Sequence, residues 1–289
     1  MTTQKTNMSA QGKSVLITGC SSGIGRTTAL RLARQGLTVF ATVRKETDAE
    51  DLRQRHEPNL IPICPLDLTQ LDQIPRVRET VTNELERRGL PGLYALINNA
   101  GSGGVAPIEL MDLNKFGTEL QARVLGSVAM VQAFLPLLRQ ANGRIVWIVT
   151  PATIPTPYVT SIHACDFAVN CVARTLALEV KDLPNIMIRC GGIKTPAGLR
   201  TTAEVETCLQ HAPRDRAVLY EHALRAWGKD MAEFDAQRTE AEAVAEIILK
   251  ALNAHKPRRR YSVGHMAGFA ALLESMPQPL VDGILSKRF

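Results

Sequence analysis

Short apolar runs alternate along the chain with longer segments in which apolar residues recur at helical spacing. The short runs predict β-strands, because they are continuous and rich in β-branched residues. In chain order they cover residues 14–17, 37–43, 60–66, 93–97, 143–149, 185–189 and 261–263. Continuous apolar strands that alternate with helices are typical of a parallel sheet covered on both faces. The pattern therefore predicts an α/β fold.

A glycine-rich turn joins the first predicted strand to the first predicted helix. Its residues are Thr18, Gly19, Cys20, Ser21, Ser22, Gly23, Ile24 and Gly25. Gly19 permits a tight turn, Gly23 lets backbone amides approach a pyrophosphate, and Gly25 lets the helix pack closely on the strand. Because the positive end of the helix dipole then faces the phosphates, the turn predicts a nucleotide-binding site.

The second predicted strand is followed by two cations, Arg44 and Lys45. In a dinucleotide-binding fold this position faces the adenine ribose, where an acidic residue would bind the 2′-hydroxyl and repel a 2′-phosphate. An arginine can instead bind a phosphate through two parallel hydrogen bonds. We therefore predict NADP(H) rather than NAD(H), with Arg44 at the 2′-phosphate. The alternative is an ordinary surface pair of cations.

The glycine-rich turn, taken with the later segment Asn98-Asn99-Ala100-Gly101, resembles the short-chain dehydrogenase/reductase family. The similarity is greatest to its 17β-hydroxysteroid and retinol dehydrogenase branch. It implies a Rossmann-like, doubly wound sheet of seven parallel strands in a single domain over residues 12–289. A flexible tail would precede it at residues 1–11, and a helical lid over the substrate would cover about 196–237. In that lid, Leu219, Trp227 and Phe234 could supply apolar contacts, although plain helix packing would explain them equally well.

The resemblance also implies further cofactor contacts. Asp67 and Leu68 would line the adenine, and Asn99, Ala100 and Gly101 would line the ribose side. The segment 190–195 is similar to the turn that the family places beside the nicotinamide, with Cys190 in place of its proline. Ile193 and Thr195 would then contact the nicotinamide, and Thr195 matches the residue that bonds its carboxamide.

The chain departs from the family where the chemistry is done. A standard member uses a tyrosine acid, a lysine four residues later, a serine and an asparagine, because the phenol pKa near 10 must be lowered by nearby positive charge. Here Ile162 stands at the tyrosine position and Asp166 at the lysine position. Val149, followed by Thr150, stands at the serine position, and Arg123 replaces the asparagine.

The replacements introduce opposite charges, so we predict that Arg123 and Asp166 form an ion pair below the nicotinamide ribose. Three functions remain open. The protein could be a reductase of a hydrophobic molecule with another proton donor, such as Tyr158, Thr150, His163 or water. It could run non-redox or bifunctional chemistry in which the Asp166 carboxylate stabilises a cation. It could also be a pseudoenzyme that binds a nucleotide and acts as a scaffold or regulator.

The composition of the chain limits which kinds of partner are expected. The net charge is +6, from 34 basic and 28 acidic residues, and only 4% of residues are aromatic, so a nucleic-acid partner is not expected. The six cysteines form no Cys-x-x-Cys pair and no zinc-like spacing, so no metal site is expected. They are interpreted as small buried hydrophobes in a reducing compartment.

The expected location is cytoplasmic. The first dozen residues are polar and lack the apolar core of a signal peptide, and no uninterrupted apolar run reaches the length of a membrane span. The resemblance implies a homodimer or homotetramer formed through two long predicted helices, at about 115–140 and 159–181. Apolar stripes on both helices permit that assembly.

Overall fold

A seven-stranded parallel sheet forms the centre of the molecule, as seen in a computed structural model that describes residues 12–151, 155–196, 201–274 and 276–285. The strand order is β3-β2-β1-β4-β5-β6-β7. The strands are β1 (Ser14–Ile17), β2 (Thr38–Thr42), β3 (Leu60–Ile63), β4 (Ala95–Asn98), β5 (Arg144–Val149), β6 (Asn185–Cys190) and β7 (Arg260–Val263). Each predicted run forms a strand, which confirms the predicted Rossmann-like fold. The predicted tail, 1–11, lies outside the described residues.

Helices connect the strands and cover both faces of the sheet. They are α1 (Gly23–Arg34), α2 (Glu46–Arg53), α3 (Ile74–Arg87), α4 (Leu113–Leu120), α5 (Gly126–Gln140), α6 (Thr160–Glu179), α7 (Thr201–His211), α8 (Arg214–Ala236), α9 (Ala241–Asn253), α10 (Ala267–Leu273) and α11 (Gln278–Leu285). Short 3-10 turns occupy Leu71–Gln73 and Ile108–Leu110. A π-helical turn, Gln121–Leu125, joins α4 to α5, so the single predicted helix over 115–140 is interrupted.

The alternation of side chains in the strands builds two cores. Val15 and Ile17 of β1 face a layer formed by α1, α2 and α9, whereas Leu16 faces a layer formed by α3, α5 and α6. Trp147, Phe40 and Phe134 are the largest side chains in the second core. Burial on both faces explains why the central strands are mostly apolar instead of alternating with polar residues.

The helices α7 and α8 pack on each other and form a third, smaller core over the loops that follow β4 and β5. Val205, Leu224 and Trp227 meet Val105 and Tyr158 there. The lid is therefore helical as predicted, with residues 197–200 outside the described part of the chain. Leu219 does not contribute to its apolar interior, because that side chain is 70% exposed.

Three smaller expectations are corrected. The third strand ends at Ile63, ahead of Pro65, which has no N–H to add to the ladder. The seventh strand begins at Arg260, one residue before the predicted run 261–263. Cys171 is exposed on α6, whereas Cys20, Cys165 and Cys190 are buried as expected.

One helix, Leu113–Gln140, is long and apolar enough to cross a membrane by length and composition. The sequence has no uninterrupted apolar run there, and the prediction of no membrane span did not anticipate this helix. Met130, Phe134 and Leu138 of the same helix are buried against the sheet, and a core helix meets the same criterion of length and composition.

Candidate functional site: a dinucleotide cleft with a closed catalytic end

A cleft of about 420 Å³ opens at the carboxyl ends of the strands. It lies between β1 and β4, where the strand order reverses, which is the usual ligand position in open α/β sheets. Every residue predicted to bind the cofactor lines this cleft. They are Gly19, Ser21, Ser22, Gly23, Ile24, Gly25, Arg44, Asp67, Leu68, Asn99, Ala100, Gly101, Ile193 and Thr195.

The glycine-rich turn is shaped by close backbone approach. Gly19 and Gly23 have φ values of +73° and +56°, in the left-handed region that favours glycine. A Cβ atom added at Gly25 would overlap the carbonyl oxygen of Gly19 and would lie 2.5 Å from Nδ2 of Asn99. These glycines therefore form a cradle that side chains would fill, which fits the backbone-lined phosphate site of a dinucleotide.

Hydrogen bonds join the ends of β1 and β4 at this cradle. Oγ1 of Thr18 accepts from the backbone N–H groups of Asn99 and Ala100, both at 3.0 Å. Nδ2 of Asn99 donates to the carbonyls of Thr18 and Gly19, at 2.9 and 3.1 Å. Helix α1 has no side-chain cap and no acidic residue in its first turn, so its N–H groups face the cleft without a competing carboxylate.

The adenine end of the cleft carries one exposed cation. Arg44 follows β2 and forms no ion pair within the described part of the chain. Asp67, across the cleft, accepts hydrogen bonds from the backbone N–H and the hydroxyl of Thr69, at 2.9 and 2.8 Å. Its own N–H donates to Oε1 of Gln73 at 2.8 Å. The loop after β3 is thus fixed beside the predicted adenine position.

At the opposite end, three predicted catalytic residues form one closed network. Nη2 of Arg123 donates to Oδ1 of Asp166, which confirms the predicted ion pair. Oδ2 of Asp166 accepts from the backbone N–H and from the hydroxyl of Thr150, at 2.8 and 2.7 Å. Asp166 is only 1% exposed. Both carboxylate oxygens are therefore bonded inside the protein, and the Thr150 proton is directed at Asp166.

Ile162 lines the cleft beside this network, at the position where the family carries its acid. The loop that follows β4 passes directly over it. A Cβ atom added at Gly103 would overlap the Ile162 side chain and would lie 2.7 Å from its Cδ1. The catalytic end of the cleft consequently presents an apolar surface where a phenol would be needed for alcohol chemistry.

Tyr158 does not join the other three predicted catalytic residues. It does not line the cleft, and its ring packs edge-on against Trp227, with centroids 5.6 Å apart. Its carbonyl accepts from the N–H of Ala106 at 2.8 Å, and its φ of +67° is rare for an aromatic residue. The ring of Tyr158 therefore packs against the lid and is not among the residues that line the cleft, and its role as a proton donor stays a prediction.

Cys190, which replaces the family's proline, lies in the cleft but is not a nucleophile. Burial raises the pKa of its thiol to about 12, and the nearby Asp166 acts in the same direction. At neutral pH the group is a neutral thiol, and the thiolate is the reactive form. No cluster of three His, Cys, Asp or Glu side chains among the described residues could hold a metal ion.

Two charged residues near the site were not predicted from the sequence. Arg238 lines the cleft and donates from Nε to Oδ1 of Asp235 at 2.6 Å and from Nη1 to the carbonyl of Ile193 at 3.2 Å. Glu119 on α4 contacts Ser161 and the backbone of Gly104 behind the loop that follows β4. Burial raises the pKa of the Glu119 carboxyl above its ordinary value, although Ser161, Arg123 and Gly104 oppose the shift. Neither residue belongs to a sequence motif.

A second groove, of about 770 Å³, lies outside the cleft between α6 and β7. Ala173, Ala177 and Met187 line it together with Phe167 and Leu178, which are 42% and 67% exposed. This groove lies on one of the two helices predicted to mediate self-association.

Comparison with known proteins gives a consistent result. A family model described as short chain dehydrogenase matches residues 13–206, more than half of the chain. The chain is 32% identical over 261 residues to estradiol 17-beta-dehydrogenase 1 of Rattus norvegicus, covering 86% of this chain and 72% of that protein. It is also 32% identical over 275 residues to 11-beta-hydroxysteroid dehydrogenase type 2 of Ovis aries, covering 89% of this chain but 62% of that longer protein.

A solved structure shares the fold. The short chain dehydrogenase from Burkholderia cenocepacia J2315, in complex with NADP, superposes with a TM-score of 0.73 at 20% identity, covering 96% of this chain and 98% of the other. The chain belongs to the short-chain dehydrogenase family, as the glycine-rich turn and Asn98-Asn99-Ala100-Gly101 predicted. Its relatives include hydroxysteroid dehydrogenases.

Proposed function

We propose that the protein binds NADP(H) and reduces only carbon that is already electrophilic, such as the β-carbon of an enone or the carbon of an iminium ion. One observation carries this proposal. A complete dinucleotide cleft adjoins a catalytic end at which Arg123, Asp166 and Thr150 bond one another and Ile162 fills the acid position. The residues that would bind the cofactor are present. By contrast, the residues at the positions of the family's tyrosine, lysine, serine and asparagine provide no acid that could protonate an alkoxide oxygen.

Arg44 supports the choice of NADP(H). It lies in the cleft two residues after the end of β2, free of ion pairs with described residues, and the position carries no carboxylate that would repel a 2′-phosphate. The solved relative from Burkholderia cenocepacia was determined with NADP.

Bound NADPH would supply a hydride, and the residues of the chain decide what can accept it. Reduction of a ketone places negative charge on oxygen. It needs a positioned acid whose pKa lies near the pH at which the enzyme works. An iminium ion gains no such charge, since the new C–H bond neutralises it. Hydride addition to the β-carbon of an enone moves the electron pair of the C=C bond into an enolate. The enolate shares its negative charge between oxygen and the α-carbon, so it is less basic than an alkoxide, and it takes its proton on the α-carbon from water. Neither acceptor requires the phenol that Ile162 has replaced.

An apolar side chain at the catalytic end supports a hydrophobic acceptor. Ile162 lines the cleft there, and the helices of the lid pack through Val205 and Trp227 on Val105 and Tyr158. An apolar pocket with few polar groups is the usual form of a small-molecule site. We do not propose that Asp166 stabilises a substrate cation, because its carboxylate is buried and both oxygens are bonded.

A matched substrate panel tests the proposal. NADPH affinity is first measured by fluorescence titration, and NADPH oxidation is then followed with cyclohexenone, with a cyclic iminium ion and with cyclohexanone. We expect tight binding and turnover of the first two acceptors but not of the saturated ketone. Comparable rates with cyclohexanone would overturn the proposal, because they would require a proton donor on the ketone oxygen.

A nucleotide-binding pseudoenzyme is the second candidate. Two observations favour it. The Thr150 hydroxyl already donates a hydrogen bond to Asp166, and the loop after β4 lies over Ile162. In that case NADPH binds and raises the thermal midpoint, yet no acceptor in the panel oxidises it. Binding without turnover across enones and iminium ions therefore separates this candidate from the reductase.

Self-association is proposed through the exposed face of α6. Phe167 and Leu178 project from this helix and line the α6–β7 groove together, and a contiguous exposed apolar patch is typical of a protein–protein interaction site. Sedimentation velocity should show an oligomer that Leu178→Glu dissociates. A monomer at all concentrations would contradict this assembly.

A cytoplasmic location stays a prediction.

A further inference from the structure

We infer that Arg238 binds the diphosphate of NADP(H) and so provides the nicotinamide half of the cleft with its own cation. The inference rests on the proposed function, because it assumes that the cleft holds this dinucleotide. It concerns a residue that directly follows the lid segment and lies outside the sequence motifs for nucleotide binding. The role is that of a cofactor-binding residue, since Arg238 itself lines the cleft.

Backbone pairing brings Arg238 to the phosphate cradle. The N–H of Thr239 donates to the carbonyl of Gly192 at 3.0 Å, and the N–H of Lys194 donates to the carbonyl of Thr239 at 2.8 Å. This pairing joins the end of the lid to the segment that contains Thr195. Thr195 in turn lies against Gly23, where an added Cβ atom would be 3.2 Å from Cβ of Thr195. Arg238 is thus anchored to the segment that closes over the first turn of α1.

The guanidinium of Arg238 is held in place but is not saturated. Its Nε is bonded to Asp235 and its Nη1 to the carbonyl of Ile193, while its Cζ lies 5.3 Å from the Phe234 ring centroid. A guanidinium has five N–H donors. The donors on Nη2 form no hydrogen bond with a described residue. A preorganised arginine with free donors is well suited to a phosphate oxygen.

The other cations near the cleft are committed elsewhere. Arg123 is paired with the buried Asp166, and Arg26 of α1 is paired with Asp51. Arg44 lies after β2, at the adenine end. Arg238 is itself paired with Asp235, but of the arginines that line the cleft it is the one that is bonded to the segment containing Thr195 and keeps its Nη2 donors free of described partners. A diphosphate carries negative charge that the uncapped N-terminus of α1 offsets only partly.

Fragments of the cofactor test the assignment by isothermal titration. The probes are NADPH, 2′-phospho-ADP-ribose, which keeps the diphosphate but lacks nicotinamide, and adenosine 2′-monophosphate, which lacks the diphosphate. Arg238→Gln should weaken NADPH and 2′-phospho-ADP-ribose by about tenfold or more, the range for a lost hydrogen bond to a charged group. It should leave adenosine 2′-monophosphate unchanged. Arg44→Gln should weaken all three.

Two further variants make the outcome decisive. Arg238→Lys keeps the positive charge and should recover part of the affinity, which separates a charge effect from a folding defect. Arg225→Gln removes an arginine of α8 that is paired with Glu206 and Glu221, and it should change none of the affinities.

Unchanged binding of NADPH by Arg238→Gln would overturn the inference. So would a loss for NADPH without a loss for 2′-phospho-ADP-ribose, which would place Arg238 at the nicotinamide. Absence of NADPH binding by the unmodified protein would instead overturn the proposed function, so the two failures are distinguishable.

Discussion

The two ends of the cleft are built from different parts of the chain. The phosphate end consists mainly of backbone, since Gly19, Gly23 and Gly25 allow close approach and Asn99 bonds carbonyl groups. The catalytic end consists of side chains, and Arg123, Asp166 and Thr150 bond one another there. Backbone sites require glycine for steric reasons, whereas side-chain sites can be rewritten without altering the fold. The contrast explains how a recognisable cofactor cleft can adjoin a catalytic end that differs at every key position.

The largest expected effect lies at the catalytic end. Arg123→Ala would leave the buried Asp166 carboxylate without its cation, and loss of one partner of a buried pair costs about 3–5 kcal/mol. Urea denaturation should show this loss. The double variant Arg123→Gln, Asp166→Asn should recover most of it, because a neutral amide still accepts from Thr150.

An exposed ion pair provides the matched control. Arg139 and Asp182 are separated by 3.1 Å, with both side chains at least half exposed. Arg139→Ala should therefore cost less than about 1 kcal/mol. If the two arginine variants lost equal stability, the catalytic network would not be a buried, mutually dependent unit. The double variant should also keep its NADPH affinity.

The next largest effect is expected from a substitution at the phosphate end of the cleft. Gly25→Ala would place a methyl group against the carbonyl of Gly19, and such overpacking costs about 1–3 kcal/mol. We expect NADPH binding to be lost as well, measured by fluorescence titration. Gly117→Ala is the control, because nothing lies within 4 Å of its added Cβ and alanine favours a helix. If Gly25→Ala kept full NADPH affinity, the glycine cradle would not be the site that binds the phosphates of the cofactor.

The smallest effect concerns Glu119, behind the loop that separates the two ends. Burial raises the pKa of this carboxyl above its ordinary 4.5, so the folded protein holds the proton more tightly than the unfolded chain. The free energy of unfolding therefore falls as pH rises from 4.5 through the folded pKa, and the penalty is complete above it. Glu119→Gln should raise the thermal midpoint at pH 7.

That gain should disappear below about pH 4, where the carboxyl is protonated in both states. Glu233→Gln, at an exposed position on α8, should change the midpoint little at either pH. A Glu119→Gln variant that is less stable than the parent protein at pH 7 would show that the contacts to Ser161 and Arg123 outweigh burial.

Sequence reasoning succeeded where a local rule applies. The strands followed from continuous apolar runs, and the cradle followed from glycines between a strand and a helix. The Arg123–Asp166 pair followed from two replacements of opposite charge at positions that the fold brings together. In each case the relevant physics acts within a short segment or is imposed by the sheet.

Sequence reasoning failed where tertiary packing decides. Tyr158 was expected at the site, but its left-handed backbone conformation and its contact with Trp227 depend on a lid about seventy residues later. Arg238 was missed because only the pairing of Thr239 with Gly192 brings it to the cleft. The raised pKa of Glu119 depends on the burial that the loop over α6 creates.

The number of residues in the π-helical turn Gln121–Leu125 determines how α4 is oriented relative to α5. A π turn contains an additional residue relative to an α-helical turn, and each residue of an α-helix advances its direction by about 100°. Removal of one residue from this turn would restore a regular helix and rotate α4 relative to α5. Arg123 would then point away from Asp166 although both residues were still present. The ion pair is therefore specified by the count of residues in this helix as well as by their identity, and an insertion or deletion could have created or abolished it in a single event.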